Sequence, residues 1–150
     1  MYWQSHSLVF LQCVLDNKLQ GSGQPGAGGG TLTFRTDLDK KILVWESHSE
    51  YPASGNKPAV IHNDLMVIYP EFSGNPVKAI YFDNEGHTIN YSISYADKSI
   101  VLTSDKIANI PIFRLSYILL ENSMINTIFE KSNDGVNFTT YISGKSKRTA

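Results

Sequence analysis

From residue 31 to residue 143 the chain repeats one unit, a short β-rich run followed by a turn signal. Several of the separating dipeptides, such as Glu85-Gly86 and Asp134-Gly135, supply the positive φ that a tight reversal needs. Regular runs with short turns and no long helical period predict an antiparallel meander. The predicted strands are 31–38, 42–51, 59–69, 77–83, 87–95, 99–104, 112–120, 124–131 and 136–143.

An open meander of about ten strands would leave two unpaired edges, which invite aggregation. We therefore predict an all-β fold, an antiparallel up-and-down barrel of about ten strands. Isoleucine, valine and threonine together far outnumber alanine, which agrees with a sheet. No segment has the composition of a linker, so residues 1–150 are predicted to form a single domain.

Two segments precede the first run. Leu8, Leu11 and Leu15 have helical spacing and predict a short N-terminal helix. Six of the glycines fall within residues 21–30, and part of their spacing matches a dinucleotide-binding fingerprint. That fingerprint needs a helix after it, whereas here Pro25 interrupts it and a β-run follows. The glycine segment is therefore predicted to form a first strand and turn at the barrel rim.

Charge and cysteine content exclude several functional classes. The 13 basic and 14 acidic side chains almost cancel, so the basic patch of a nucleic-acid or anionic-membrane binder is not expected. No stretch is apolar for long enough to span a membrane as a helix. The single cysteine, Cys13, cannot form an internal disulfide, and the features of a signal peptide are missing. A cytoplasmic location is the expectation.

Pairing across the predicted hairpins indicates which side chains share a face, because alternate residues of a strand point the same way. A reversal centred near Gly55 places His48 opposite His62, and one near Gly74 places Met66 opposite Phe82. Repeating this along the chain predicts one continuous inner face. Its members are Val44, Met66, Ile68, Ile80, Phe82, Ile89, Tyr91, Ile93, Tyr95, Ile100 and Leu102.

At one end of this predicted inner face the side chains become polar. An apolar cavity with a few convergent polar groups is the usual form of a small-molecule site. We therefore expect the barrel to bind a small, partly apolar ligand at this end. The predicted ligand-binding residues are Glu46, His48, His62, Asp64, Phe82, Asn84, His87 and Tyr91.

The same polar cluster supports other interpretations. A histidine oriented by Asp64 or Glu46 could act as a base in an enzyme, although no catalytic residue is assigned. Histidines and a carboxylate could also bind a metal, but the histidines come from separate strands and not from one dense motif, so no metal site is predicted. The cluster could equally be a solvated barrel mouth.

The opposite face of adjacent strands also carries large apolar side chains, among them Leu43. An exposed patch containing Trp and Tyr commonly marks an interface. The pattern predicts a homodimer through this surface, or its coverage by the N-terminal segment. An interaction protein with no cavity ligand is a further alternative. The surface consists of Trp45, Leu65, Val67, Tyr69 and Tyr81.

Four stretches of the chain together support a resemblance to a known family: LMVIYP at 65–70, AIYFDNEGHTINY at 79–91, GSGQPG at 21–26 and FRLSY at 113–117. With them, the chain resembles bacterial lipocalin-like barrels of unknown function, which are similar to the nitrobindin and fatty-acid-binding group of the calycins. The resemblance extends over most of the chain. It implies a closed antiparallel barrel with an internal cavity.

The chain also departs from that group. Asn17 and Leu19 stand where such barrels carry a Trp-x-Gly pattern. Haem-binding members use a histidine from the C-terminal part of the barrel, and no histidine follows His87. The arginine pair that binds a carboxylate in fatty-acid carriers is not evident either. No haem or other cofactor is therefore expected.

Overall fold

The computed structural model describes residues 17–24, 28–72 and 77–148, and of residues 17–24 the backbone alone. Leu8, Leu11, Leu15 and Cys13, which carry the predicted N-terminal helix, lie outside these residues. No helix in the described part of the chain is long and apolar enough to cross a membrane. The strands are β1 (Asn17–Gln24), β2 (Gly28–Asp37), β3 (Ile42–Tyr51), β4 (Val60–Pro70), β5 (Val77–Asp83), β6 (Thr88–Ala96), β7 (Ser99–Ser104), β8 (Ile112–Leu119), β9 (Ile125–Ser132) and β10 (Thr139–Arg148). A single 3₁₀ turn, Glu121–Ser123, connects β8 to β9.

The ten strands form a closed barrel in which each strand pairs with its neighbours in sequence. Every pairing is antiparallel, including the closing one between β1 and β10, where Leu19 pairs with Arg148. The predicted all-β up-and-down barrel is therefore confirmed. The glycine segment provides β1 and the start of β2, as expected, and it completes the ring of hydrogen bonds.

Two of the short turns form where the turn residues in the sequence predicted them. The Asp97-Lys98 turn joins β6 to β7 directly, because Ala96 pairs with Ser99. Between β5 and β6 the loop has three residues, 84–86, since the amide of Asp83 donates to the carbonyl oxygen of His87. Gly86 has a φ of 92°, the left-handed conformation that closes such a loop.

The apolar core lies on the inner face of the barrel. Rings from strands that are not neighbours meet there: Phe34 and Tyr117 have centroids 5.4 Å apart, and Trp45 and Tyr117 have centroids 6.2 Å apart. Burial of this apolar surface is the main source of stability. The buried core consists of Leu32, Phe34, Leu43, Trp45, Met66, Ile68, Val77, Ala79, Tyr91, Ile100, Leu102, Leu115, Tyr117 and Ile125.

The inner face differs from the predicted one on two strands. The sequence placed Val44 on β3 and Ile80 and Phe82 on β5 inside, but the structure turns Leu43, Trp45, Ala79 and Tyr81 inward instead. Met66 pairs with Trp45 and Tyr81, so both neighbouring strands are shifted by one residue from the expected register. Since side chains alternate, a one-residue shift moves every side chain of a strand to the other face. The β4, β6 and β7 members of the predicted face do lie inside.

This shift also changes the predicted outer surface. Trp45 is only 4% exposed and Tyr81 packs against the core, so neither belongs to an outer patch. Leu65 and Val67 do lie outside, on the face of β4 opposite Met66, and Tyr69 alternates with them. The placement of Trp45 and Tyr81 on the outer surface was therefore wrong.

Gly30 is required where β2 approaches β3. A Cβ atom added there would overlap the carbonyl oxygen of His48, which is backbone and cannot rotate away. The glycine therefore lets two strands of the wall approach closely at this point.

Candidate functional site

A polar cluster occupies the inner face where β4 begins and β5 ends. His62 and Asp64 alternate along β4, and Tyr81 and Asp83 alternate along β5. Asp64 pairs directly with Asp83 across the two strands. Because each of these residues is two positions from the next on its strand, all four side chains share the inner face.

The phenol oxygen of Tyr81 is the centre of the cluster. It donates to Asp64 Oδ1 at 2.6 Å, while Asp83 Oδ2 lies 3.2 Å away and His62 Nε2 lies 3.4 Å away. A phenol has one proton, so it satisfies only one of the two carboxylates at a time. The site therefore holds more hydrogen-bond acceptors than donors.

Both nitrogens of the His62 ring face carboxylate oxygens. Nε2 lies 2.6 Å from Asp64 Oδ1, and Nδ1 lies 3.0 Å from Glu85 Oε1. Glu85 belongs to the β5–β6 loop, so this loop reaches back over the start of β4. The imidazole is thereby fixed in orientation between the barrel interior and the rim.

Asp83 is held by the turn that follows it. Its Oδ1 accepts from the backbone amides of Glu85, at 3.0 Å, and His87, at 2.9 Å, and its Oδ2 lies 2.9 Å from His87 Nδ1. This explains the three-residue loop, because the carboxylate supplies acceptors for amides that the loop leaves unpaired. The side chain of Asp83 is only 4% exposed, whereas that of His87 is on the surface.

Burial and hydrogen bonding shift the carboxylates in opposite directions. Burial raises the pKa of Asp64, and the hydrogen bond from Tyr81 and the charge of His62 only partly offset this effect. Burial also acts to raise the pKa of Asp83, but the hydrogen bonds from His87 and Glu85 together lower it below the ordinary value. Asp64 is thus the carboxylate with more to gain from an additional donor or positive charge.

The tyrosines around Asp64 respond to its charge. Burial raises the pKa of Tyr81, and its hydrogen bond to Asp64 raises it further. Burial followed by the charge of Asp64 raises the pKa values of Tyr91 and Tyr117, which come from β6 and β8. The same two effects, in the same order, raise the pKa of Tyr51. One carboxylate therefore lies within electrostatic reach of tyrosines from several sides of the barrel.

Two polar atoms deeper in the barrel have no hydrogen-bond partner among the described residues. They are Nε1 of Trp45 and Oγ1 of Thr127, both buried. Trp45 contacts Tyr81 and Tyr117, with centroid distances of 6.4 and 6.2 Å, and Thr127 pairs with Tyr117 across β8 and β9. An unpaired buried polar group costs about 1–3 kcal/mol.

The predicted site residues separate into three groups. His62, Asp64 and Tyr91 lie inside, as expected. Glu46, His48 and Phe82 point outward, which corrects their predicted orientation. Phe82 is 42% exposed, and His48 lies 2.6 Å from Asn63 Oδ1 and 2.9 Å from Glu50 Oε1 on the outer surface.

Asn84 and His87 form the third group, because they belong to the β5–β6 loop and its edge. Asn84 joins the loop to β4: its Oδ1 accepts from the amide of Asn63 at 3.0 Å, and its Nδ2 donates to the carbonyl oxygen of Ile61 at 3.1 Å. His87 contacts the cluster only through Asp83. Both are therefore supports of the site and not part of its inner lining.

The sequence did not predict four residues of the site or its surroundings: Tyr81, Asp83, Glu85 and Trp45. Tyr81 and Trp45 were placed on the opposite face by the shifted register. Asp83 carried a usable signal, since an aspartate before Asn-Glu-Gly is a common start of a turn with a side-chain acceptor. Glu85 had none, because its contact with His62 depends on how the loop folds over β4.

The sequence matches no protein-family model, and no curated protein matches it significantly. The closed antiparallel barrel is consistent with a lipocalin-like fold. The site is therefore interpreted from its own chemistry.

Proposed function

We propose that the barrel binds a small, partly apolar molecule whose polar head donates hydrogen bonds to Asp64. The observation that carries this proposal is a buried carboxylate, 10% exposed, on the inner face of a barrel lined by aromatic rings. The partly buried inner-face side chains Tyr81 and Ile89 would contact the apolar body of the ligand. The barrel and the sequence resemblance together favour a lipocalin-like carrier.

The charges at this end favour a head group that is a donor or a cation. Asp64, Asp83 and Glu85 are acidic, and within the described residues their salt bridges go to His62 and His87 alone. A carboxylate-headed ligand such as a fatty acid would meet like charge here. An amine or a hydroxyl would instead supply the donors that the cluster lacks.

A catalytic use of the cluster is the second candidate, and the His62–Asp64 contact favours it. A general base, however, needs a ring nitrogen free to take a proton. Both nitrogens of His62 already face carboxylates. Binding is therefore the better supported of the two. The interaction-protein alternative loses its main argument, because Trp45 and Tyr81 lie inside.

The test uses 1-aminoanthracene, a fluorescent probe with an apolar body and an amine head. We expect wild-type protein to bind it with enhanced fluorescence, and Asp64→Asn to weaken binding about tenfold through loss of a charge-assisted hydrogen bond. Glu46→Gln, a matched change on the outer face of β3, should leave the affinity unchanged. Equal affinity of folded wild type and Asp64→Asn would contradict the proposal. Mass spectrometry of the native protein then identifies any co-purified ligand.

A further inference from the structure

We propose that His62, Asp64 and Asp83 form a binding site for a divalent transition-metal ion, with Tyr81 as a fourth ligand. This inference goes beyond the small-molecule proposal and does not depend on it. It rests on the spacing of the donor atoms, on the surroundings of His62, and on how the ligands are held.

The donor atoms already have the spacing of a coordination shell. One atom each from His62, Asp64 and Asp83 lie within 4.8 Å of one another. The Tyr81 oxygen is 2.6, 3.2 and 3.4 Å from the Asp64, Asp83 and His62 atoms. Ligands bound at about 2.0–2.2 Å from a zinc ion are roughly 3.0–3.5 Å apart. The two 2.6 Å contacts would therefore widen by roughly 0.4–0.9 Å around an ion.

Both ring nitrogens of His62 face carboxylate oxygens. A neutral imidazole has one N–H, and here each of its two nitrogens faces a carboxylate. If Nδ1 donates to Glu85, the lone pair of Nε2 points at the Asp64 carboxylate. A metal ion bound to Nε2 would lie between these two groups. A histidine whose other nitrogen donates to a carboxylate is the usual arrangement of a metal-bound histidine.

Asp83 is held in place by groups that are not themselves ligands. Two backbone amides bind its Oδ1, and His87 Nδ1 contacts its Oδ2, so the carboxylate keeps one orientation. Glu85, in the β5–β6 loop, likewise holds the His62 ring in one orientation through its contact with Nδ1. Such supporting hydrogen bonds reduce the ordering that metal binding would otherwise require.

The donor set indicates the class of ion. One imidazole nitrogen with carboxylate and phenol oxygens suits first-row ions such as Zn²⁺ and Co²⁺. Ca²⁺ and Mg²⁺ prefer all-oxygen sites with six or more ligands. The sequence analysis considered a metal bound by several histidines of this cluster and predicted none. In the structure only one histidine takes part, and Asp64 and Asp83 supply the carboxylates.

The test measures Zn²⁺ binding to chelator-treated, full-length protein without a histidine tag, by calorimetry. We expect one ion per chain and at least tenfold weaker binding in His62→Gln. His48→Gln, the same change on the outer face of β3, should bind as wild type does. The proposal is overturned if folded wild-type protein does not bind one Zn²⁺ ion per chain, or if His62→Gln binds Zn²⁺ as tightly as wild type does. Mg²⁺ should not compete.

A second measurement covers the case in which a variant folds poorly. In the Trp3→Phe background Trp45 is the only tryptophan, and its ring lies 6.4 Å from that of Tyr81. Co²⁺ bound at the site should quench its fluorescence, and Asp64→Asn should abolish the quenching. Quenching that persists in folded Asp64→Asn would contradict the site. Probe binding without metal binding would refute this inference alone, whereas metal binding without probe binding would refute only the small-molecule proposal.

Discussion

The hydroxyl of Tyr81 lies between two carboxylates, at 2.6 Å from Asp64 and 3.2 Å from Asp83. The Tyr81 hydroxyl donates to Asp64, which is largely buried and retains only His62 as a further partner among the described residues. Leaving a buried acceptor without its donor costs more than the hydrogen bond itself contributes. Tyr81 is thus a structural part of the cluster as well as a candidate ligand.

Replacing Tyr81 by phenylalanine should therefore destabilise the barrel. We expect the free energy of unfolding to fall by about 1.5–3 kcal/mol, the range for hydrogen bonds to charged groups. Urea denaturation at neutral pH measures this. Tyr69→Phe is the matched control, since its hydroxyl makes no hydrogen bond with the described residues. Equal stability of the two variants would show that the Tyr81 hydroxyl contributes nothing.

Asp134 stabilises the connection between β9 and β10. It accepts from the amides of Asn137 and Val136, and hydrogen bonds from these residues and Ser132 hold its pKa well below the ordinary value of 3.8. A lowered pKa means that the charged form favours the folded state. Its contribution is present above pH 3.8 and is lost as the pH falls toward the lowered value.

The stability difference between wild type and Asp134→Ala should therefore depend on pH. We expect the variant to have the lower melting temperature at about pH 7, and the difference to shrink by about pH 2.5. Thermal unfolding followed by circular dichroism measures both. A difference that stays constant or grows on acidification would contradict this role for the carboxylate.

At the scale of elements, the β5–β6 loop positions half of the polar cluster. The side chain of Asn84 attaches the loop to β4 through two hydrogen bonds, and its backbone amide donates a third to the carbonyl oxygen of Asn63. Glu85 then reaches His62. The orientation of His62 is therefore set by a loop and not only by its own strand.

Removing the two side-chain hydrogen bonds with Asn84→Ala should loosen the loop. We expect a loss of about 1–2 kcal/mol in unfolding free energy and faster hydrogen exchange of the Asn63 amide, which Asn84 Oδ1 accepts from. Asn90→Ala, on the outer face of β6, provides the control. Unchanged exchange at Asn63 would show that the loop is held by its other contacts.

The strands were largely predictable from the sequence, and their faces only in part. The bounds of β3, β5 and β7 agree with the predicted runs, because turn residues mark both ends. The register of β7 on β6 was also right, since a two-residue turn leaves no choice of centre. The connection from Tyr51 to Val60 is long, so the sequence could not show which residue of β3 pairs with which residue of β4. An error of one residue in this register moves the side chains of β3 to the other face of the sheet.

The same uncertainty in register affected the prediction of the polar cluster. His62 and Asp64 were placed correctly because β4 alternates clearly. The β5 strand has apolar residues on both faces, with Ile80 and Phe82 outside and Ala79 and Tyr81 inside. Hydrophobic pattern alone could not choose between them. Tyr81 and Asp83 were therefore lost from the predicted site, and Phe82 was gained in error.

At the scale of the whole molecule, closure depends on β10 pairing with both β9 and β1. Deleting residues 143–150 should remove the pairing with β1 and expose two strand edges. We expect this variant to aggregate or to lose cooperative unfolding, as measured by size-exclusion chromatography and thermal melts. A deletion of residues 149 and 150 alone, beyond the end of β10, should behave as wild type. A monomeric, cooperatively folded 1–142 chain would show that closure is dispensable.

Because β1 pairs with β10, the same closed barrel could form from a chain in which the strands follow one another from a different starting strand. Because Leu19 and Arg148 are partners, the beginning of the first strand and the end of the last lie side by side. A short linker could join these two ends, and new termini could be opened at the exposed loop around Gly55. Such a circular permutant would keep every strand neighbour and the whole polar cluster while changing which strand is made first.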